Sequence, residues 1–547
     1  MTRTERMSHT NLLQALSDNI LIDKDKCTFC GVCVEACILD NLRMQLAPCR
    51  QACPLDVNVQ GYVQQILRGE EDRARETLRE KLIFPEILGR ICTHPCETNC
   101  HRLRMSGEAV SIRYLKRYLT ENQDPSEIPF PEIKSGTGCK VAVIGSGPAG
   151  LQAAYDLRIH GHQVTVYESR SEPGGMMRWA IPEFRLPLTV VRREIELIDR
   201  IGVDLRCNTT IGKELTITQL KDDHDAIIIA TGCGNFARLD TEGQDAQGVY
   251  YGLPFLSAVR SDKAHEITGR TVVIGGGNVA LDAAQTALRL GAESVTIVSL
   301  EKKDELPATP EAVESAVKEG IQFECSWGPV RILTQNGRVS GVQLQRCVAV
   351  FDSRNHFNPV FDSCELKEVV AETVIICIGQ YRDNTFLNSL EDSKIINGNQ
   401  IIADPLTLQT ADETIFVAGD FHSGPSSVVS SMASGREAAE SVNRLLRGEP
   451  LQYGRNYRGP FEMEFNIDTS RGSDRNRTSL QLRDYVGKGD FNEIEKGLSQ
   501  EAARNEASRC YSCGVPYGKY RTCWFCLPCE VECPSDALRV EIPYLLR

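Results

Sequence analysis

The spacing C-x2-C-x2-C-x3-C occurs twice in this chain, once near each end: Cys27, Cys30, Cys33 and Cys37, then Cys523, Cys526, Cys529 and Cys533, with Pro534 following the second run. Thiols spaced in this way can each take one corner of a cubane [4Fe-4S] cluster without straining the turns between them. In two-cluster arrangements the fourth Cys of each run ligates the cluster of the other run. Two runs separated by almost the whole chain therefore predict a split module, with Cys27, Cys30, Cys33 and Cys533 on one cluster and Cys523, Cys526, Cys529 and Cys37 on the other. The ends of the chain, or of two chains in a dimer, must then meet. Ile38 stands where the pattern has Pro, a departure that removes no ligand. Zinc centres and disulfides are the competing readings. Zinc favours two separated Cys or Cys/His pairs, and disulfides have no reason to repeat this spacing.

Of 22 cysteines, fifteen fall within residues 27–100 and 510–533, while Cys139, Cys207, Cys233, Cys325, Cys347, Cys364 and Cys377 are scattered singly and read as small core residues. At 547 residues there is room for three or four domains, and 41% hydrophobic with 25% charged residues is ordinary for a globular chain. A formal net charge of -13 argues against nucleic acid as a partner. The first thirty residues lack the apolar stretch of a secretory signal, and no apolar run is long enough to cross a bilayer. The expectation is a reducing cytoplasm, where clustered cysteines serve as metal ligands.

Between the cysteine runs lie two dinucleotide fingerprints. KVAVIGSGPAG (140–150) is a buried strand that breaks at Gly145 and Gly147, with Pro148, Ala149 and Gly150 opening a helix. The glycines allow a tight turn and close approach of a pyrophosphate to the helix N-terminus. A second strand ends at Glu168, placed to receive ribose hydroxyls, and Gly174, Gly175 and Met176 follow. TVVIGGGNVALDAA repeats the frame with Gly275, Gly277, Asn278 and Ala280, and its second strand ends at Glu301. An acid there accepts the two ribose hydroxyls of NAD and repels the extra phosphate of NADP, so NAD(H) is preferred over NADP(H). Lys302 and Lys303 come next and could instead meet that phosphate or be solvated loop charges. In ADETIFVAGDFHSGPSSVV, Gly419 and Asp420 end a strand, and a helix starting near Ser427 and Val428 would aim its positive end at a flavin ring edge. The first fingerprint and Asp420 thus form an FAD site, with the second fingerprint inserted between them. AIIIATG, containing Thr231, and VIICIGQ, containing Gly379, read as the strands where the chain passes between the two domains.

With these motifs in order the chain resembles the small subunit of glutamate synthase and its relatives, the flavin half of dihydropyrimidine dehydrogenase and the large subunit of NADH-dependent ferredoxin:NADP oxidoreductase. The resemblance covers roughly residues 46 to 450. It implies a helical iron-sulfur domain carrying Cys49, Cys53, Cys92, Cys96 and Cys100, and a flavin contact at Arg185. The usual leading ASRC-x2-CG segment is missing upstream of Cys49 and stands instead at 507–514, so Cys510 and Cys513 are inferred to fold back and complete a cluster with Cys49 and Cys100. A fourth cluster would take Cys53, Cys92 and Cys96. Relatives supply its last ligand from a Gln or Glu, whereas the matching residue here is Lys116, which cannot ligate while protonated. Water, Cys37 or His94 are the alternatives.

The expected fold is α/β: two Rossmann-like domains, the nicotinamide domain inserted in the flavin domain, with a helical Fe-S domain and a split ferredoxin-like module from both termini. The expected boundaries are 1–45 for the N-terminal ferredoxin-like half, 46–137 for the helical Fe-S domain, 138–260 and 378–450 for the FAD domain, 261–377 for the NAD(H) domain, 451–506 for a tether, and 507–547 for the C-terminal half. Residues 57–87 show helical periodicity, with Val59, Tyr62, Val63 and Ile66 on one face. The function expected is an NADH-linked FAD and iron-sulfur electron-transfer subunit with about four [4Fe-4S] clusters, no separate acid-base residue, and a catalytic or Fe-S partner subunit or ferredoxin, as a dimer of heteromers. The alternatives are a glutamate synthase small subunit, a bifurcating or free-standing NAD(P)H:ferredoxin oxidoreductase, and a colourless scaffold.

Overall fold

A computed structural model describes residues 19–541 apart from 39–40, 122, 125–127, 264–265, 390–394, 398–399, 456–458, 480, 486, 520–522 and 524. All fifteen clustered cysteines are among the described residues; parts of the expected terminal halves, including 1–18 and 542–547, lie outside them. The chain forms two compact units, one of Met1–Ile128, Gln452–Gln481 and Gly497–Arg547, the other of Pro129–Leu451 and Leu482–Lys496.

In the first unit the two ends of the chain share sheets. Strand Ile20–Ile22 pairs antiparallel with Leu538–Val540, with Leu21 opposite Arg539. Leu42–Gln45 pairs antiparallel with Pro516–Gly518 on one side and parallel with Phe461–Glu462 on the other. Phe29, Val34, Leu42, Met44, Ala537 and Leu538 form a buried core with Cys27, Cys33, Cys523 and Cys529. Helix Val59–Arg68 begins where the Asn58 side chain accepts from the Gly61 amide at 3.0 Å. It ends at Gly69 in the left-handed conformation (φ 78°), and Val59, Tyr62, Val63 and Ile66 are buried along one face. A second helix, Glu71–Arg79, follows.

Helix Gln500–Ala507, capped by Ser499, leads to Arg509, which is 1% exposed. Arg509 donates to the Ala109 carbonyl (2.8 Å), the Arg475 carbonyl (3.0 Å) and the Glu506 carboxylate (2.7 Å). Its own carbonyl accepts from Arg102 at 2.7 Å. These bonds hold the Cys510 segment against the helices that carry Cys100.

The second unit contains two five-stranded parallel sheets. The first has the order Ile415–Val417, Ala226–Ile229, Lys140–Ile144, Gln163–Tyr167, Asp204–Arg206. The second runs Gln322–Cys325, Ser294–Ser299, Arg270–Ile274, Thr373–Ile376, Val249–Tyr251. The fully buried central strands explain the continuous Val/Ile runs. Helix Val428–Leu446 returns across helix Pro148–Ile159 so closely that a Cβ on Gly435 would stand 2.1 Å from the Ala149 carbonyl.

Two features depart from the sequence reading. Strand Val249–Tyr251 pairs with Thr373–Ile376, so the expected boundary at 260/261 falls inside the second sheet; the crossing lies earlier, where Asn235–Phe236 pairs with Gln380–Tyr381. The expected tether is divided: Leu482–Lys496 packs in the second unit, where Tyr485 stacks 4.9 Å from the Arg289 guanidinium and the Ile494 amide donates to the Phe184 carbonyl at 3.0 Å. A three-stranded antiparallel sheet of Trp327–Gln335, Arg338–Phe351 and Phe357–Val370 also packs, through Ile332, Val342 and Leu344, in one core with Val272, Ile274 and Val374 of the second parallel sheet.

Candidate functional site

The cysteines of the first unit fall into groups. Cys27, Cys30, Cys33 and Cys533 line one small pocket. Cys49, Cys100, Cys510 and Cys513 line another. Cys529 is surrounded by Cys37, Cys523 and Cys526, whose charges add to burial in pushing its thiol up to about 11. Cys53, Cys92 and Cys96 act on one another, with Lys116 opposing the burial of Cys53 and Cys96. Among the described residues no three Cys, His, Asp or Glu side chains close on one point as around a single ion.

Burial, with the charges of neighbouring thiols, pushes Cys27 and Cys510 up to about 11. Backbone amides are already turned toward several sulfurs: Phe29 to Cys27 (3.3 Å), Asn41 to Cys37 (3.3 Å), His94 to Cys92 (3.4 Å), Ser512 to Cys510 (3.4 Å) and Ala537 to Cys533 (3.3 Å). Buried thiols that repel one another's charge, yet have amides aimed at them, are suited to a cationic centre that binds them as thiolates. Soft sulfur donors ringing a cavity fit an iron-sulfur cluster. Tyr62, which sequence periodicity marked only as core, is 1% exposed, and its phenol is kept neutral by burial and by the charges of Cys96, Cys49 and Cys53.

In the second unit, strand Lys140–Ile144 turns at Gly145, whose φ of 102° suits glycine and whose Cβ would stand 2.6 Å from the Ala230 carbonyl and 3.0 Å from Thr231 Cα. In front of Gly147 nothing lies within 4 Å of a would-be Cβ, so the space at the start of helix Pro148–Ile159 is open. Ala149 and Gly150 close the first turn, and a Cβ at Gly150 would stand 2.0 Å from the Gly145 carbonyl. Glu168, 8% exposed, accepts from Ser146 N (3.1 Å) and Oγ (2.5 Å) and from Arg170 N (2.8 Å), which hold its carboxylate against the glycine turn. Gly175 packs on Gly147, and Met176 lines an open cleft with Arg170, Trp179, Asn208, Leu253 and Lys263.

Sequence reasoning missed Ser146, although it lies inside the fingerprint, and it missed Arg170 over the Trp179 ring at 5.0 Å, a pairing with no local signal. Asp420 accepts from Ser426 (2.5 Å) and Ser431 (2.9 Å), while the Gly419 amide donates to Ser434 at 2.9 Å. Ser427 caps the nineteen-residue helix that begins at Val428 and accepts from the Ser430 amide at 3.2 Å. Arg185 is engaged by the inserted domain: it donates to both oxygens of Asp282, at 2.6 and 2.8 Å. Burial pushes the Asp282 carboxyl up, against the opposing pull of Arg185.

At the second fingerprint Gly275 has φ 135°, and its Cβ would meet the Cys377 carbonyl at 2.3 Å, whereas the space at Gly277 is open. Ala280 is fully buried, and the Asn278 side chain accepts from the Thr309 amide at 3.1 Å. Glu301 Oε2 lies 3.1 Å from a would-be Cβ on Gly276, so the carboxylate rests against the glycine turn. Lys302 pairs with Glu305 at 3.2 Å, and the Lys303 ammonium sits 5.5 Å from the Phe323 ring centroid. Gly379, φ 144°, has its carbonyl bonded to the Ala237 amide at 3.0 Å, where the chain leaves the inserted sheet.

No helix among the described residues is long and apolar enough to cross a membrane. Residues 139–435 match the pyridine nucleotide-disulphide oxidoreductase family, and residues 13–128 match the 4Fe-4S cluster domain II of dihydropyrimidine dehydrogenase. The chain is 31% identical to the NADP(+)-dependent formate dehydrogenase subunit beta of Moorella thermoacetica, over 91% of this chain and 74% of that one. It is 33% identical to the NAD-dependent dihydropyrimidine dehydrogenase subunit PreT of Escherichia coli (strain K12), over 74% and 92%. It is 30% identical to the glutamate synthase [NADPH] small chain of the same organism, over 73% and 88%. A parallel sheet opening on Gly145 and Glu168, a second opening on Gly275 and Glu301, and a thiol-rich helical unit before them together make this chain a member of the pyridine nucleotide-disulphide oxidoreductase family, an NAD(P)H-dependent FAD and iron-sulfur oxidoreductase subunit.

Proposed function

We propose that the chain is the NADH-linked electron-transfer subunit of a larger oxidoreductase, holding FAD, NAD(H) and four iron-sulfur clusters. The observation that carries this reading is the convergence of cysteines from both chain ends on shared cavities: Cys533 with Cys27, Cys30 and Cys33, and Cys510 and Cys513 with Cys49 and Cys100. Such a set serves a wire of single-electron carriers and is more than a hydride exchange alone needs. When bound, FAD exchanges hydride with the nicotinamide and splits the pair into single electrons for the clusters.

The chain's own residues bind and orient. Gly145, Gly147 and Gly150 admit a pyrophosphate to the N-terminus of helix Pro148–Ile159, and Glu168 receives ribose hydroxyls. Asp420, held by Ser426 and Ser431, receives a ribityl hydroxyl, and the Ser427–Val428 helix start favours negative charge on a reduced ring. Glu301 selects NADH, because its carboxylate rests at the Gly276 turn while Lys302 and Lys303 are committed to Glu305 and Phe323. The partner is a catalytic subunit that produces or consumes the electrons. The match to the formate dehydrogenase subunit extends over 91% of this chain against 73% for the glutamate synthase small chain, which favours this reading over a glutamate synthase subunit.

The test is anaerobic titration of the purified brown protein with NADH and, separately, NADPH, following flavin and cluster bleaching and then EPR. Bleaching of both centres by NADH and not by NADPH is the expected result; a colourless protein, or preference for NADPH, refutes the corresponding part. Cys30→Ser and Cys533→Ser should remove the same EPR signal, and removal of different signals would refute the pairing.

A further inference from the structure

We propose that the segment Leu482–Lys496 is a positioning element for hydride transfer, a clasp that fixes the inserted nicotinamide domain against the flavin domain, with Tyr485 as its positioning residue. This rests on the hydride exchange between nicotinamide and FAD proposed above, and on no choice between NADH and NADPH. The chain on either side of the segment, Gln452–Gln481 and Gly497–Arg547, belongs to the first unit. A connection that begins and ends in one unit has no need to visit the other, so the detour serves the second unit.

Three segments meet at Arg289. The flavin domain supplies Phe184 and Arg185, from a turn in which the Arg185 and Leu186 amides both donate to the Pro182 carbonyl, at 3.0 and 2.9 Å. That turn follows helix Gly175–Trp179, which starts where Gly175 packs on Gly147 of the first fingerprint. The inserted domain supplies helix Asn278–Leu290, which starts at the second fingerprint. Asp282 and Arg289, both buried, stand two turns apart on one face of it. Arg185 grips Asp282, and Phe184, fully buried, has its ring centroid 3.9 Å from the Arg289 guanidinium. The guanidinium forks onto both oxygens of Glu319, at 2.6 and 2.8 Å, so its plane is fixed and its charge balanced within the inserted domain.

Segment Leu482–Lys496 completes the clasp. Tyr485 brings its ring centroid to 4.9 Å from the same guanidinium. The Gly489 amide donates to the Arg289 carbonyl of the inserted domain at 2.8 Å, and the Ile494 amide to the Phe184 carbonyl of the flavin domain at 3.0 Å. One segment thus bonds both domains. Asp490, 8% exposed, holds it in shape by accepting from Arg483 at 2.6 Å and from Asn492 at 3.1 Å. Hydride transfer needs reacting atoms about 3–3.5 Å apart, and a misplacement of about 1 Å costs about 100-fold in rate. The helix gripped at Asp282 and Arg289 is the one whose N-terminus receives the nicotinamide cofactor's pyrophosphate, and Phe184 lies just beyond the stretch packed on the flavin fingerprint. A loose clasp therefore slows the passage of hydride, with its electron pair, from the nicotinamide to the flavin. It weakens nucleotide binding less, because the second fingerprint supplies that by itself.

The test uses the anaerobically purified holoprotein, unmodified and as Tyr485→Ala, Tyr485→Phe and Lys488→Ala, with whichever of NADH and NADPH reduces its flavin. Lys488 is the control, since it pairs with Glu266 on the surface at 2.9 Å. Stopped-flow absorbance separates the limiting rate of flavin reduction from the Kd of the nucleotide, and records the charge-transfer band between nicotinamide and flavin. Hydrogen exchange read by mass spectrometry, without nucleotide, follows the peptide that holds Gly489 and Ile494. In Tyr485→Ala the reduction rate should fall about tenfold or more while Kd stays within about threefold, the charge-transfer band should weaken, and the peptide should exchange about tenfold faster. Tyr485→Phe keeps the ring and should restore rate, band and exchange; Lys488→Ala should alter none of them. The proposal is overturned if Tyr485→Ala reduces its flavin at the original rate, if only nucleotide affinity falls, if exchange is unchanged, or if Tyr485→Phe behaves as Tyr485→Ala does. Should Tyr485→Ala fail to hold its cofactors, Asp490→Ala, which loosens the segment from within, decides by the same readouts. Flavin that neither nucleotide reduces in the unmodified protein overturns the functional reading, whereas equal reduction of the unmodified protein and Tyr485→Ala overturns this inference alone.

Discussion

Arg509 is the bond between the returning C-terminus and the helical cluster domain, and Arg509→Met measures what that bond contributes. The guanidinium is 1% exposed and its partner Glu506 is fully buried, also accepting from the Ser111 amide (2.8 Å) and the Thr478 amide (2.6 Å). Methionine fills similar volume but leaves that carboxylate without its cation and the Ala109 and Arg475 carbonyls without donors. Removing one member of a buried ion pair costs about 3–5 kcal/mol. At 1.4 kcal/mol per tenfold change, local opening of the Cys510–Cys513 segment becomes about 100- to 3000-fold more frequent. Unfolding of a multidomain cluster protein is not two-state, so a single melting temperature is a poor readout. The assay is the rate at which an iron chelator bleaches the protein under conditions where opening and closing are fast. Arg509→Met should lose the iron of one cluster at least 100-fold faster, while the clusters of the terminal runs bleach at the original rate. Arg509→Lys, which keeps the charge but not the fork of donors, should fall between. A change below about tenfold for Arg509→Met would refute the reasoning.

Other outcomes follow from the dinucleotide sites and their surroundings. A Cβ at Gly147 meets no atom within 4 Å, so Gly147→Val should leave the thermal midpoint near that of the unmodified protein while flavin content falls at least about tenfold; Gly150→Ala, with its Cβ 2.0 Å from a carbonyl, should instead destabilise the fold by about 1–3 kcal/mol. Retained flavin in Gly147→Val would refute the assignment of that open space. Glu301→Ala should raise the NADPH to NADH ratio of kcat/KM by about tenfold or more, measured by steady-state dye reduction, because the repelling carboxylate is gone. Arg178 and Arg192 hold the Glu172 carboxyl down to about 2 by hydrogen bonding. A depressed folded value means that this stabilisation is complete above the ordinary 4.5 and is lost as pH falls through about 2. Since the carboxylate is 32% exposed, screening leaves about 1 kcal/mol. Glu172→Gln should therefore lower stability against urea by about 1 kcal/mol at neutral pH, and the difference from the unmodified protein should shrink below about pH 4.5; a constant difference would refute the linkage.

How much of this was legible in the sequence differs between the two units. The parallel sheets were readable because each fingerprint is a local object: strand, glycine turn, helix and acid lie within about thirty residues, and the chemistry of a pyrophosphate dictates their order. The boundary of the inserted domain was displaced because Val249–Tyr251 is a three-residue strand whose membership is decided by its partner Thr373–Ile376, more than a hundred residues away. The same holds for Leu482–Lys496, polar in composition and extended in outline, whose place depends on Arg289 and Phe184.

The cysteine spacing by itself pointed to soft-metal ligands at the two ends and to their convergence, because thiols at those intervals have one efficient common use. Only the tertiary structure decided how the ends meet, through the Ile20–Val540 ladder and the buried Arg509, and which thiols share a cavity. It alone engaged both Glu97 oxygens, with the Arg113 amide and the Arg477 guanidinium. The physical reason is that spacing constrains what a segment can bind, whereas the charge and the number of ligands at a buried site depend on side chains contributed by segments remote in sequence.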